Sequence, residues 1–139
     1  MAYAHNLAKE INVYQSWIKE LEDKPDIETP EEAYAVIKAV LQTLRDRLSV
    51  NEAANLSAQL PLIARGIFYE GWKPSSVPNK YNLPEFFGML RDRLDGKCEQ
   101  VDEERLAGYV IGLLRKHVSG GEMDDVKTNF PKEFSALFN

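Results

Sequence analysis

Few residues in this chain have the chemistry of a reactive site, and their spacing does little to gather them. Histidine occurs only as His5 and His117, and cysteine only as Cys98. A structural zinc site takes four Cys or His ligands at local spacing, which these three scattered residues do not supply. His117 falls in the last turn of a predicted helix, where a cation is favoured by the macrodipole. His5 stands beside the N-terminus. Neither has a neighbour in sequence that would set it up as a general acid or base. Cys98 lies in Gly96-Lys97-Cys98-Glu99. Lys97 would lower its pKa and Glu99 opposes that, so it reads as a passive loop thiol with no base held beside it.

Ser119-Gly120-Gly121 before a helix has the form of an anion-binding loop, because free N–H groups point outward at a helix start. Glu122, Asp124 and Asp125 follow within that turn, and they would repel a phosphate. Capping is the simpler reading. As cation ligands these acids diverge around the helix. Glu22, Asp23, Asp26 and Glu28 form a second acidic stretch, and neither has the spacing of a calcium loop; a weak divalent site in either place is the alternative. The tetrapeptide RDRL occurs at Arg45 to Leu48 and again at Arg91 to Leu94. Both copies end predicted helices, where arginine suits the dipole. Local salt bridges with the interspersed aspartates are expected; an arginine pair gripping a carboxylate ligand is the alternative. No catalytic constellation, metal site or cofactor is expected from these residues.

One stretch stands apart. IFYEGWKP, Ile67 to Pro74, holds three aromatics, an acid and a glycine. Tyr69 and Trp72 would either clamp a connection between two halves of a core or line an aromatic pocket. In the second case Glu70 would orient a ligand or partner.

The elements that position these residues are helical. Leu7, Ile11, Tyr14, Ile18 and Leu21 step by four and three, a single stripe that Lys24-Pro25-Asp26 ends. Thr29-Pro30-Glu31-Glu32 is a start signal, with a hydroxyl cap, proline at the first helical position and glutamate at the third. Val36, Ile37, Val40, Leu41, Leu44 and Leu48 then form a buried stripe. Ser49-Val50-Asn51-Glu52 is a second capping box, opening a short helix through Ala53, Leu56 and Leu60. Pro61 breaks it and starts another through Ile63, Ile67 and Phe68.

Sliding the sequence by seventy residues without a gap repeats this pattern. Ser49 and Glu52 land on Ser119 and Glu122, Pro61 on Pro131, Arg45 on Arg115, and Phe68 on Phe138. Apolar positions coincide as well, including Val40 with Val110 and Leu44 with Leu114. Caps and a breaker kept in register mark an internal repeat. Phe86, Leu90 and Leu94 in PEFFGMLRDRL give the second half its own lead helix. The repeats span 4–69 and 82–138. Residues 70–81, with Pro74, Pro78, Ser75, Ser76 and Asn79, form the extended connection, and Gly71 supplies a backbone turn. No run alternates with period two, so no strand is expected.

Composition bounds the rest. The chain has 139 residues, 44% apolar and 28% charged, with a formal net charge of −5. Its length suits one domain, 1–139. The acidic balance argues against nucleic acid and against anionic lipid, and no apolar run approaches the ~18 residues of a spanning helix. MAYAHNLAKE turns polar at once, without a signal-peptide core. A single cysteine suits a reducing compartment, so a cytoplasmic location is expected.

The run AVLQTLRDRLSVNEAANLSAQLP with RGIFYEGWKP, and LLRKHVSGGEMDDVKTNFPKEFSALF in the second half, resemble the bacterial domain-of-unknown-function family 2267 over nearly the whole chain. Phe130 stands before proline where that family usually has leucine. The resemblance implies an all-helical fold and brings no substrate, cofactor or catalytic residue with it. The expectation is an all-α compact bundle of about eight short helices from two tandem repeats. Its role is expected to be a non-catalytic protein-interaction module, an adaptor or homo-oligomer. The alternative is a small-molecule binder using the seam at Tyr69, Glu70 and Trp72.

Overall fold

The computed structural model describes residues 4–139, so the first three residues of MAYAHNLAKE lie outside the described residues. The fold is an all-α bundle, without a strand among the described residues. In chain order the helices are α1 (His5–Glu22), α2 (Pro30–Arg47), α3 (Val50–Ala58) and α4 (Leu62–Tyr69), then α5 (Leu83–Leu94), α6 (Glu103–His117) and α7 (Gly120–Thr128). Short 3-10 segments lie at Pro74–Ser76 and Lys132–Phe138.

The organising element is α2, which packs against α1, α4, α5 and α6. Its apolar stripe is fully covered, from Val36 and Ile37 through Leu44. Because neighbours surround it, its polar residues go inside too: Gln42, Thr43, Arg45 and Arg47 are all buried. Such groups are costly unless each donor finds an acceptor; Thr43 donates to Ala39 O within α2, and helix ends and connections supply acceptors to the other three, as described below.

The caps explain where helices begin, with two departures from expectation. Thr29 Oγ1 accepts from the Glu32 N–H at 3.1 Å, but Glu32 reaches past the cap to accept from the Glu28 N–H at 2.9 Å. Ser49 and Ser119 likewise accept from Glu52 and Glu122 N–H, both at 3.1 Å. The return arm of each predicted box is missing, because another residue takes the serine N–H. Ser49 N–H donates to Asn129 Oδ1 at 3.3 Å and Ser119 N–H donates to Gln59 Oε1 at 2.7 Å. Gln59 and Asn129 are the C-caps of α3 and α7. Each short helix therefore caps the start of the other, and this exchange holds α3 against α7. A complete capping box does form at Asn82 and Glu85, where α5 begins.

Two apolar expectations are corrected. Of the α1 stripe only Ile18 and Leu21 are buried, together with Trp17, while Leu7 is exposed. The inward face of α1 is rotated toward Trp17, whose ring lies 5.1 Å from that of His117. Second, the segments after the two prolines differ: α4 is α-helical and Lys132–Phe138 is 3-10. Gln42 and Arg45 hold the carbonyls that close α4. Seventy residues on stand Gly112, with no side chain to offer, and Arg115, which is exposed.

The second half is closed by aromatics. Phe86 is fully buried, with the rings of Phe134 at 5.5 Å, Phe87 at 5.9 Å, Tyr81 at 6.0 Å and Phe130 at 6.3 Å. Edge-to-face pairs of this kind add to simple area burial. Phe86→Ala should cost about 3–5 kcal/mol of unfolding free energy, read as a lower urea midpoint at unchanged slope. A loss under about 1 kcal/mol would mean the aromatic cluster is not part of the cooperative core.

Candidate functional site

The connection after α4 is tied down by one arginine. Arg45, only 2% exposed, donates from Nη1 to Phe68 O at 2.9 Å and to Glu70 O at 2.8 Å. Gln42 Nε2 holds Ile67 O at 3.0 Å. These are the orphan carbonyls that any helix leaves at its C-terminus. Gly71 then turns the chain at φ 75, with Trp72 N–H donating to Tyr69 O at 3.0 Å. An added Cβ would meet nothing there, so the backbone sign alone calls for glycine.

The three residues singled out in the sequence are only partly brought together. Tyr69 and Trp72 pair at 5.2 Å between ring centroids, and the Tyr69 hydroxyl bonds to Ser57 Oγ at 2.5 Å. Trp72 Nε1 is buried without an acceptor. Glu70 points elsewhere: its carboxylate pairs with Lys38 Nζ at 3.1 Å and is largely exposed.

Beside this connection lies a cleft of about 280 Å³, walled by Arg45, Asp46, Arg93 and Lys73 with Gly71 and Asn79. Tyr69, Glu70 and Trp72 do not line it. The two RDRL motifs meet here. Asp46 Oδ1 accepts from Arg45 Nε at 2.8 Å, and Asp46 Oδ2 accepts from Arg93 Nη2. Arg93 Nη1 also donates to Thr43 Oγ1 at 2.9 Å. Asn79 N–H donates to Asp46 O at 2.7 Å, pinning the far end of the connection. Only one of these ion pairs is local; the other joins α5 to α2. Three cationic side chains surround one carboxylate, so the cleft is cationic in a chain of net charge −5. Asp46 is held by two guanidiniums. The arrangement can hold an anion.

The other motif arginines also reach outward rather than serving only the helix dipole. Arg47 Nε donates to Tyr81 O at 3.1 Å and Nη1 to Asn129 O at 3.2 Å, with its guanidinium over the Phe130 and Phe134 rings. Arg91 donates to Cys98 O at 3.0 Å and to Val101 O at 2.5 Å, closing the α5–α6 loop. Cys98 is buried beneath it, and burial, then the charge of Glu32, pushes its thiol pKa up, away from nucleophilic activation. His5 is exposed at the start of α1, and His117 lies beside Trp17 and 3.9 Å from Glu20.

A second cluster comes from residues that sequence reasoning kept apart. Glu122 and Asp125 do not diverge. Together with Glu52 they place one carboxylate oxygen each within 4.8 Å of one another. Asp124 takes no part. Burial, then the hydrogen bond and charge of Glu52 and the charge of Asp125, push the Glu122 carboxyl up to about 8. The available signal was the correspondence of Ser49 and Glu52 with Ser119 and Glu122 in sequence, since both glutamates hold the third position of helices that cap each other.

An unfolded glutamate titrates near 4.3, so the folded protein holds the Glu122 proton more tightly. This group's stabilising contribution is complete below about pH 4 and declines as pH rises toward 8. In chelator-treated protein unfolded with urea at about pH 5, 7 and 9, the wild type should lose stability more steeply than Glu122→Gln. Equal slopes would remove Glu122 from the titration.

Among the described residues no helix is long and apolar enough to cross a membrane. No match to the chain was found among curated proteins. The sequence model described as an uncharacterized conserved protein, DUF2267, matches residues 14–137, which include every helix from α2 to α7, the connection and both clusters. The chain belongs to the DUF2267 family.

Proposed function

We propose that this protein is a non-catalytic binding protein whose ligand is a small anion, a carboxylate or a phosphate, held in the cleft between α2, α5 and the connection. One observation carries the reading: guanidiniums from two different helices share a single carboxylate at an open cleft, with Lys73 at its rim. Arg45 Nη2 has no acceptor among the described residues, and planar guanidinium donors match carboxylate and phosphate oxygens. Tyr69 and Trp72 adjoin the cleft through Gly71 and Lys73, which keeps the aromatic seam as its neighbour and Trp72 as a reporter.

Titration with phosphate or succinate, against chloride at equal ionic strength, should raise Tm and change tryptophan fluorescence. Lys73→Ala should weaken the effect about tenfold or less, because it removes one rim charge. Trp72→Phe should silence the fluorescence change while the Tm shift remains. A response that chloride reproduces would reject an anion site and leave only screening.

A protein-interaction role has its own support on the surface shared by α1 and the start of α2. Leu7 and Tyr34 are exposed, and a groove of about 670 Å³ runs along Tyr14, Ile18 and Lys19 to Pro30. A second copy of the chain or another protein would cover such a surface. In this reading the halves 4–69 and 82–138 are copies of one helical unit and α1 carries the contact. Light scattering across a concentration series should show association that Tyr34→Asp abolishes; a monomer at every concentration would eliminate the second copy as occupant.

A further inference from the structure

The contact between α3 and α7 leaves charge unbalanced. Glu122 is 7% exposed, and its Oε2 has no hydrogen-bond partner; the same is true of Glu52 Oε2. None of the ion pairs among the described residues involves Glu52, Glu122 or Asp125. An unpaired buried carboxylate is costly, and a second one facing it is costlier.

The reason they face each other is local. A glutamate at the third position of a helix normally accepts from its own cap N–H. Here Asn129 and Gln59 occupy those N–H groups from across the contact. Both glutamates are thereby released from capping and meet between the helix starts. Asn129 Nδ2 donates to Asp125 O at 3.1 Å and lies 3.5 Å from Glu52 Oε1, which steadies two of the three acids.

We propose that Glu52, Glu122 and Asp125 bind one hard divalent cation of calcium's size between the first turns of α3 and α7. Calcium takes oxygen ligands at about 2.3–2.6 Å, so two ligands on opposite sides of the ion stand about 4.6–5.2 Å apart. Carboxylate oxygens mutually within 4.8 Å are no farther apart than the ligands of one such ion. Glu122 supplies a buried ligand whose Oε2 accepts no hydrogen bond, and Glu52 supplies the ligand from the other half of the chain. Asp125 is exposed and gives the ion a path from solvent. Water completes the coordination shell. The cation would join the two halves where only hydrogen bonds otherwise do.

The test uses the full chain, stripped with chelator and exchanged into chelator-free buffer at about pH 7.5, where the ligands are available to metal. Calcium chloride, and manganese chloride in parallel, are titrated by calorimetry and by thermal melt. The expected result is saturable binding of one ion per chain with a higher Tm. Asp125→Asn, on the exposed side, should weaken binding about tenfold. Glu122→Gln should abolish it, and in chelator should melt at least as high as wild type, because the amide keeps the volume and removes the buried carboxyl that faces Glu52. Two outcomes overturn the proposal. One is no saturable binding of either ion up to about 10 mM, beyond the weakest ordinary calcium modules, which would leave a shared proton as the occupant. The other is binding that both variants retain.

Discussion

The constraint on which this structure turns is the burial of polar side chains on its central helix. Four neighbouring helices cover α2, so Gln42, Thr43, Arg45 and Arg47 have nowhere wet to go. A buried donor left unpaired costs about 1–3 kcal/mol, and more when charged. The acceptors are not side chains on a facing helix. Thr43 is served within α2 by Ala39 O and Arg45 Nε by Asp46; the longer reaches go to the carbonyls of Ile67, Phe68, Glu70, Tyr81 and Asn129. All belong to helix ends or connections, where backbone groups lack partners of their own. Two deficits thus cancel: the central helix needs acceptors, and the chain ends need donors. The path of the connection from Glu70 to Tyr81 follows from that pairing. Tyr81 adds to it by donating its hydroxyl to Thr43 O.

The cationic cleft is a by-product of the same pairing. Arg45 must face the connection to hold it, which leaves Asp46 beside the cleft, and Arg93 arrives from α5 to meet Asp46. Guanidinium groups already fixed by carbonyls and by Asp46 lose little freedom on meeting an anion, and preorganisation of that kind favours binding. The carboxylate cluster is built on the opposite condition. There the capping groups are satisfied by amides from the facing helix, and the carboxylates are the part left without partners.

Much of the fold was legible because helix boundaries are written locally. Thr29, Ser49 and Ser119 cap where expected, Pro61 and Pro131 break where expected, and Phe86, Leu90 and Leu94 are the buried residues of α5. What failed to show was long-range. Trp17 and Tyr14 lie three residues apart on one helix, and periodicity alone does not say which edge of a stripe turns inward. RDRL reads as a solvated helix end, because sequence does not reveal that α2 is enclosed on every side. The reciprocal half of each capping box was assigned to the nearest glutamate, since the competing amides, Gln59 for Ser119 and Asn129 for Ser49, lie on the partner helix and are remote in sequence. Tyr69 and Trp72 pair with each other, but Glu70 reaches Lys38 and the cleft opens on the arginine side instead.

Comparing positions seventy residues apart shows why some keep one geometry and others do not. Ser49 and Ser119, Glu52 and Glu122, and Gln59 and Asn129 make matching contacts. They lie where α3 and α7 face each other, and a reciprocal contact asks the same service of both sides. Gln42 and Gly112, Arg45 and Arg115, and Arg47 and His117 all differ in burial, and the first and last pairs in chemistry as well. The end of α2 meets a connection with loose carbonyls. The end of α6 meets α1, where Lys116 pairs with Glu20 and His117 lies against Trp17. Only the first of these surroundings rewards a buried guanidinium. The asymmetry therefore lies in the neighbours rather than in the helices, and the arginine cleft belongs to the half of the molecule that has a chain segment to fasten.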